Sequence, residues 1–175
     1  MRLFIAIDPS IEVQKYIKRI QARLDKDLAK LRLTSSFHLT LKFLGDVNRE
    51  LCEKVIENLK KIKFDKFKLK TSNIGVFPSQ NYVRVIWLGV QENIVLNKLQ
   101  QDIENALKVK KDFQFHPHIT LARVSFVKDK TRFKEFLQKI KTEEKSFDVD
   151  SFILYESTLT KEGPVYTKLK TFVSF

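Results

Sequence analysis

Two histidines with matching neighbours are the residues of this chain best suited to do chemistry. The segment His38-Leu39-Thr40-Leu41 is followed 80 residues later by His118-Ile119-Thr120-Leu121, and the chain has only 3 histidines. Side chains alternate along an extended strand, so the histidine and threonine of each copy share one face while the aliphatic residues face a core. Each copy therefore offers one imidazole and one hydroxyl to the same surface.

A pair of imidazoles suits acid–base chemistry at phosphorus. With an unperturbed pKa of about 6.5, one imidazole can take a proton from an attacking hydroxyl while the other protonates the departing oxygen. Thr40 and Thr120 would donate hydrogen bonds to the non-bridging oxygens. Arg123 is the expected bidentate phosphate ligand. Strict alternation from His118 puts Arg123 on the wrong face, so this role needs a bulge, a strand end or a long reach.

Several further side chains are weaker candidates for the same site. Alternation places Lys42 on the cleft face beside Thr40, where it would be a second phosphate contact. Tyr166, in the last predicted strand, carries a hydroxyl that could reach the site. Three carboxylates close to strand ends could orient an imidazole, and the sequence does not choose among them: Asp8, Asp46 and Glu156.

The third histidine raises the alternative of a metal site. His116 and His118 could be two ligands of a metal ion and His38 the third. The proline between the first two, and the lack of a carboxylate or cysteine pattern nearby, argue against this. We therefore expect no metal and no cofactor, and His116 is set aside.

Composition limits the class of protein. The chain has 175 residues, of which 43% are hydrophobic, enough for one compact unit. A single cysteine, Cys52, excludes an internal disulfide and favours a reducing compartment, so we expect a cytoplasmic protein. No segment approaches the roughly 20 apolar residues of a membrane helix, and no membrane role is expected.

The chain is strongly basic. Its 33 Lys and Arg residues outnumber 21 Asp and Glu residues and leave a net charge of +12, which favours a polyanion such as RNA as partner. The same charge also fits lysine-rich solvated helices or a heat-adapted source. Charge alone does not decide between these explanations.

Apolar spacing predicts the elements that would position the motifs. A duplicated strand–helix–motif strand–helix–strand unit spans approximately residues 1–80 and 82–158, followed by a C-terminal strand over 164–175, which predicts one bilobal unit about a pseudo-two-fold axis. Helical stripes run from Val13 to Leu31, from near Asn48 to Ile62, from Val95 to Ala106 and from Phe133 to Ile140. Strands are predicted at Leu3 to Ile7, Phe37 to Phe43, Phe67 to Thr71, Val83 to Leu88, His118 to Val124, Phe147 to Tyr155 and Val165 to Phe175.

The motifs resemble those of the two-histidine phosphoesterase superfamily, and specifically the RNA 2′,3′-cyclic phosphodiesterases, also named 2′-5′ RNA ligases. The resemblance runs the whole chain. It is carried by Met1–Asp8, Phe37–Gly45, Arg84–Val90, Pro117–Arg123, and Ser157–Thr160 with Gly163–Tyr166.

The resemblance implies an α/β (α+β) fold in which antiparallel sheets face a basic central cleft and helices lie outside. It also implies metal-independent opening of an RNA 2′,3′-cyclic phosphate to a 2′-phosphate. Reversible 2′-5′ RNA ligation is a further activity that the family allows. The family's motif residues carry over onto His38, Thr40, His118, Thr120 and Arg123. We assign His38 as proton donor and His118 as proton acceptor, the reverse remaining open, in a protein expected to be a monomer.

Three alternatives stay open from the sequence. A non-catalytic RNA-binding module would use the basic cleft alone. A phosphodiesterase of another small cyclic nucleotide would share the histidine pair. A metal-dependent hydrolase would need His116 and lose activity to a chelator.

Overall fold

A computed structural model describes residues 1–108 and 114–175 of the chain. Within these residues, four helices pack against antiparallel strands, as the predicted fold class requires. None of the described helices has the length and apolar character needed to span a membrane. The strands are β1 (Arg2–Ile7), β2 (Ala29–Leu33), β3 (Leu39–Asp46), β4 (Phe67–Ser79), β5 (Tyr82–Val90), β6 (His118–Val127), β7 (Ser146–Val149), β8 (Ser151–Thr160) and β9 (Gly163–Val173), and the helices are α1 (Ile11–Ala22), α2 (Arg49–Leu59), α3 (Ile94–Leu107) and α4 (Lys130–Lys139).

The sheet forks at β6. Its strand order is β7-β4-β5-β6-β3-β1-β8-β9, and β2 also pairs with β6. One edge of β6 is therefore shared: Ile119 pairs with Leu39 of β3, while the stretch from Ala122 to Val127 pairs with β2. The chain between β2 and β3, which carries His38, crosses the fork. The two halves of the sheet diverge here, next to both histidine motifs. The face of the sheet that carries these motifs is the cleft face.

The core lies on one face of the sheet. In β1, Leu3, Ile5 and Ile7 belong to the main apolar cluster, which also takes in the buried faces of the helices. The alternate residues Phe4 and Ala6 point to the opposite face and form a smaller cluster with β8 and β9. This small cluster, made of Phe4, Ala6, Ile153 and Tyr155 with Tyr166 against it, forms part of the face that carries the histidines.

The first predicted helix is too long. In the structure it begins at Ile11, two residues before the predicted stripe, and the Ser10 side chain accepts a hydrogen bond from the Val13 amide as an N-cap. The helix ends at Ala22, although leucines at helical spacing continue beyond it. The Asp25 carboxylate accepts hydrogen bonds from the amides of Asp27 and Leu28, forming a turn that competes with the helix. The chain then enters β2, which the spacing of apolar residues did not predict.

Two strands also differ from their predicted extents. β4 continues past Thr71, where the predicted strand ends, because it pairs with β7 along Phe67–Lys70 and then with β5 up to Ser79. The strand predicted over Phe147 to Tyr155 is two strands separated at Asp150. β7 pairs with β4 and β8 pairs with β1, so the break allows consecutive segments of the chain to pair at opposite ends of the sheet.

Lys42 lies in the interior, and its predicted place on the cleft face is wrong. In the pairing of β1 with β3, Ile5 faces Lys42 and Ala6 faces Thr40, so Leu41 is an extra residue in β3. This bulge turns Lys42 to the same side as Leu41. Its side chain is 9% exposed and its Nζ lies 3.1 Å from a carboxylate oxygen of Glu104, which is 6% exposed.

The buried ion pair yields a stability prediction. Lys42→Met removes the ammonium group that Glu104 contacts and should lower the free energy of unfolding by about 3 kcal/mol. Lys54→Met is the matched control: it removes an exposed i,i+4 partner of Glu50 and should cost no more than about 0.5 kcal/mol. Urea unfolding of both variants measures the difference, and equal losses would contradict it. Replacing Glu104 by Leu in the Lys42→Met background should recover part of the loss.

Candidate active site

The two histidine motifs meet where β3 touches β6. Leu39 and Ile119 face each other as an antiparallel pair, and both are fully buried. In antiparallel register the flanking residues also oppose each other, His38 with Thr120 and Thr40 with His118. All four of these polar residues are partly exposed, on the face opposite the buried pair. One backbone contact therefore brings two imidazoles and two hydroxyls to a single patch.

A bulge in β6 returns Arg123 to the cleft face. In the pairing of β5 with β6, Trp87 faces Thr120 and Ile86 faces Ala122, so Leu121 is an extra residue. Leu121 and Ala122 are both fully buried, and alternation resumes with an exposed Arg123. The geometric obstacle to a phosphate role for Arg123 is thereby removed.

The bulge in β3 occupies the same place in the first motif. Leu41 and Lys42 are consecutive buried residues, as Leu121 and Ala122 are in the second motif. The residue that follows is Phe43, which is 70% exposed. The first motif thus presents a phenyl ring at the position where the second presents a guanidinium.

His118 is held in one tautomer by the backbone. Its Nδ1 lies 2.6 Å from the carbonyl oxygen of His116, and because a carbonyl can only accept, Nδ1 carries the proton and donates. The neutral ring therefore has its free lone pair on Nε2. Phe77 contacts the ring at 4.9 Å between centroids, nearly perpendicular to it, and Trp87 at 5.8 Å. Burial lowers the pKa of His118 below its ordinary value.

His38 lies in an aromatic pocket on the other side. The rings of Phe4 and Tyr166 are 4.9 Å and 5.1 Å from its centroid, the second edge-on. Burial lowers the pKa of His38 to about 4, opposed by the negative charge of Asp8 and reinforced by the positive charges of His118 and Arg123. The influence of the last two charges on His38 indicates that the motifs share one electrostatic environment.

Asp8 is the carboxylate placed to act on an imidazole. It follows the end of β1 and accepts hydrogen bonds from the Tyr155 hydroxyl at 2.7 Å and from the Lys168 Nζ at 2.7 Å. Asp46 instead pairs with Arg2. The sequence named Asp8 among three candidates but gave no sign of Tyr155 or Lys168. Tyr155 lies on β8, which pairs with β1, and Lys168 lies opposite it on β9, so both approach Asp8 only in the folded sheet.

His116 does not complete a metal site in the part of the chain that the structure describes. Its ring packs against Phe77 and Trp87, and its carbonyl accepts the hydrogen bond from His118 Nδ1. Among residues 1–108 and 114–175, no three His, Cys, Asp or Glu side chains are grouped closely enough to hold a metal ion. His116 contributes to the site through its backbone carbonyl. A contribution of this kind cannot be predicted from the residue type.

The fold and this patch define a two-histidine phosphoesterase. A family model described as LigT like Phosphoesterase matches residues 7–87 and again 88–166, one match for each motif. The chain belongs to this family of LigT-like phosphoesterases.

Curated relatives extend over nearly the full chain. The RNA 2′,3′-cyclic phosphodiesterase of Methanocaldococcus jannaschii is 34% identical, covering 97% of this chain and 99% of that protein. The protein of the same name from Thermotoga maritima is 35% identical, covering 97% of this chain and 93% of its own. Among solved structures, Escherichia coli LigT complexed with 3′-AMP superposes with a TM-score of 0.79 at 27% identity, covering 99% of this chain and 97% of that chain.

The two histidines should titrate below the ordinary imidazole range. We expect His38 to titrate near pH 4 and His118 below 6.5, since burial disfavours the charged form of each. Asp8→Asn removes the charge that favours protonation, so the pKa of His38 should fall further. NMR titration of the imidazole Cε1–H signals measures both, and a His38 that titrates at or above pH 6.5 would contradict this.

Gly75 allows Trp87 to contact the second histidine. A Cβ added to Gly75 would lie 2.0 Å from the end of the Trp87 indole, so Gly75→Ala must displace that ring. We expect a loss of about 1–3 kcal/mol in unfolding free energy and a changed emission spectrum. Trp87 is the only tryptophan, so fluorescence reports on it alone. Ser79→Ala on the same strand is the control, and an unchanged spectrum in Gly75→Ala would refute the close contact.

Proposed function

We propose that this protein hydrolyses the 2′,3′-cyclic phosphate at the end of an RNA to a 2′-phosphate by paired-histidine acid–base catalysis. The observation that carries the proposal is the pairing of Leu39 with Ile119, which brings both His-x-Thr motifs onto one face. The curated relatives at 34% and 35% identity, named for this activity, support it. The net charge of +12 suits an anionic substrate.

His118 is proposed as the general base. Its Nδ1–H is engaged by the His116 carbonyl, which leaves the Nε2 lone pair to accept a proton from water. A lowered pKa keeps the ring neutral, and therefore able to accept, at neutral pH.

His38 is proposed as the general acid. The Asp8 carboxylate favours its protonated form, which an acid needs. The aromatic pocket works in the opposite direction, so the free enzyme holds His38 mostly neutral at pH 7. An anionic phosphodiester in the cleft would raise the pKa of His38 by direct attraction of the imidazolium. Substrate binding is thus coupled to protonation of His38.

The reaction balances with these two groups. The oxygen of water attacks phosphorus as His118 removes its proton, the bond from phosphorus to the 3′-oxygen breaks, and His38 gives its proton to that oxygen. Thr40 and Thr120 donate to the non-bridging oxygens, and Arg123 provides a charged contact to them. Tyr166, edge-on to His38, orients that ring. The same steps, with the 5′-hydroxyl of a second RNA in place of water as the nucleophile, join two RNA ends through a 2′-5′ linkage, and their reversal cleaves that linkage.

The chain's own groups suffice for this site. Both histidines come from one chain, so a monomer is the proposed active form. The chain has a single cysteine, Cys52, and can form no internal disulfide, which suits a reducing compartment such as the cytoplasm.

Replacing either histidine tests the proposal. His38→Ala and His118→Ala should each lower kcat on an RNA ending in 2′,3′-cyclic phosphate by at least about 100-fold, and the product should carry a 2′-phosphate. His116→Ala is the matched control, because it keeps the backbone carbonyl that His118 uses. A chelator should leave the rate unchanged. Near wild-type turnover in either motif variant would refute acid–base catalysis, and loss on chelation would favour a metal enzyme.

The rate should have a bell-shaped pH dependence that differs between free and bound enzyme. Both histidine pKa values lie below 6.5 in the free protein, so kcat/KM, which reports the free enzyme, should peak below pH 6.5 whichever ring is the acid. Bound substrate raises both values, so the optimum of kcat should lie at higher pH. Initial rates from pH 4 to 8 measure both profiles, and coincident optima would contradict the coupling.

A further inference from the structure

A second arginine stands beside Arg123. In the pairing of β2 with β6, Arg32 is directly opposite Arg123. Directly opposed residues of an antiparallel pair lie on the same face of the sheet. Both arginines are exposed, while their strand neighbours Leu31 and Leu33 pack against the main core. Arg32 therefore projects from the cleft face, although no histidine motif contains it.

This pair of like charges has no acidic partner in the part of the chain that the structure describes. Neither Arg32 nor Arg123 forms an ion pair with a described Asp or Glu side chain, and like charges placed directly opposite each other destabilise a sheet. The described arginines at positions 2 and 49, by contrast, pair with carboxylates. Two adjacent guanidinium groups without acidic side chains beside them leave both charges available to bind anions from outside the chain.

Arg32 reaches across the cleft rather than along it. Its Nη1 would lie 3.9 Å from a Cβ placed on Gly163, at the tip of the β8–β9 hairpin. The tip is fixed by the Thr160 hydroxyl, which donates to the Gly163 carbonyl at 2.7 Å. Tyr166, which contacts His38, is three residues further along β9, or about 10 Å in an extended strand. The guanidinium of Arg32 thus lies outward from the histidines, between the hairpin and β6.

We infer that Arg32 binds the phosphodiester that links the terminal nucleoside to the rest of the RNA. This rests on the proposed function and deepens it. A cyclic phosphate closes the 3′ end of an RNA, so the nearest other phosphate is the one on the 5′-oxygen of the same nucleoside. Arg123, whose charge acts on His38, serves the reacting phosphate, and Arg32 serves its neighbour. The enzyme therefore prefers an oligonucleotide end to a nucleoside 2′,3′-cyclic phosphate, which lacks the second phosphate.

The test compares two substrates with Arg32→Gln. The substrates are uridine 2′,3′-cyclic phosphate and the dinucleotide UpU ending in the same group. We expect kcat/KM for the dinucleotide to fall about tenfold, chiefly through KM, the loss of one charge-assisted contact, and the value for the mononucleotide to stay within twofold. The plot of log kcat/KM against the logarithm of salt concentration has a negative slope, and for the dinucleotide this slope should become shallower by about 0.7, the contribution of one phosphate contact on a single strand.

The control variant is Lys18→Gln, which removes the same charge from an exposed position of α1. It should change neither substrate's rate by more than twofold. Equal losses on both substrates in Arg32→Gln, or no loss on either, would overturn the assignment while leaving the hydrolase intact. If the wild-type protein opens neither cyclic phosphate, the proposed function fails and the role of Arg32 falls with it.

Discussion

The pairing of Leu39 with Ile119 is the contact on which the site depends. It is the single register pair by which the two halves of the sheet meet at β3 and β6, and it is buried completely. Because the two strands run antiparallel, one such pair places each histidine opposite the other motif's threonine. A shift of one residue would turn all four polar groups into the core. The apolar residues within the motifs thus set the geometry of the polar ones.

Two bulges then decide what surrounds the histidines. An extra residue at Leu41 and another at Leu121 each place two consecutive side chains in the core and reverse the alternation beyond. In the second motif this exposes Arg123. In the first it buries Lys42, which forms an ion pair with Glu104. The same backbone irregularity places a cationic side chain on the cleft face in the second motif and removes one from that face in the first.

The repeated motif predicted the histidines, the threonines and their common face, because period-two alternation is a direct property of strands. The start of α2 near Asn48 was also readable from the sequence, and Asn48 is its N-cap. Bulges were not, since hydrophobic residues in sequence look alike whether alternation holds or breaks. The end of α1 was hidden for a related reason: Leu24 and Leu28 keep helical spacing while packing from a turn. Tyr155 and Lys168 approach Asp8 only through long-range strand pairing.

The exposed Phe43 has a consequence for the polarity of RNA in the cleft. A duplicated site whose halves were identical would hold a phosphodiester equally well in either of two orientations related by the pseudo-symmetry. A phenyl ring at the mouth of one motif and a guanidinium at the mouth of the other give those orientations different energies. Under the proposed mechanism, the substrate would then bind in one direction, and each imidazole would meet the same oxygen at every turnover. In the proposed mechanism, this difference between the two motifs is what would allow two chemically identical residues to hold distinct roles.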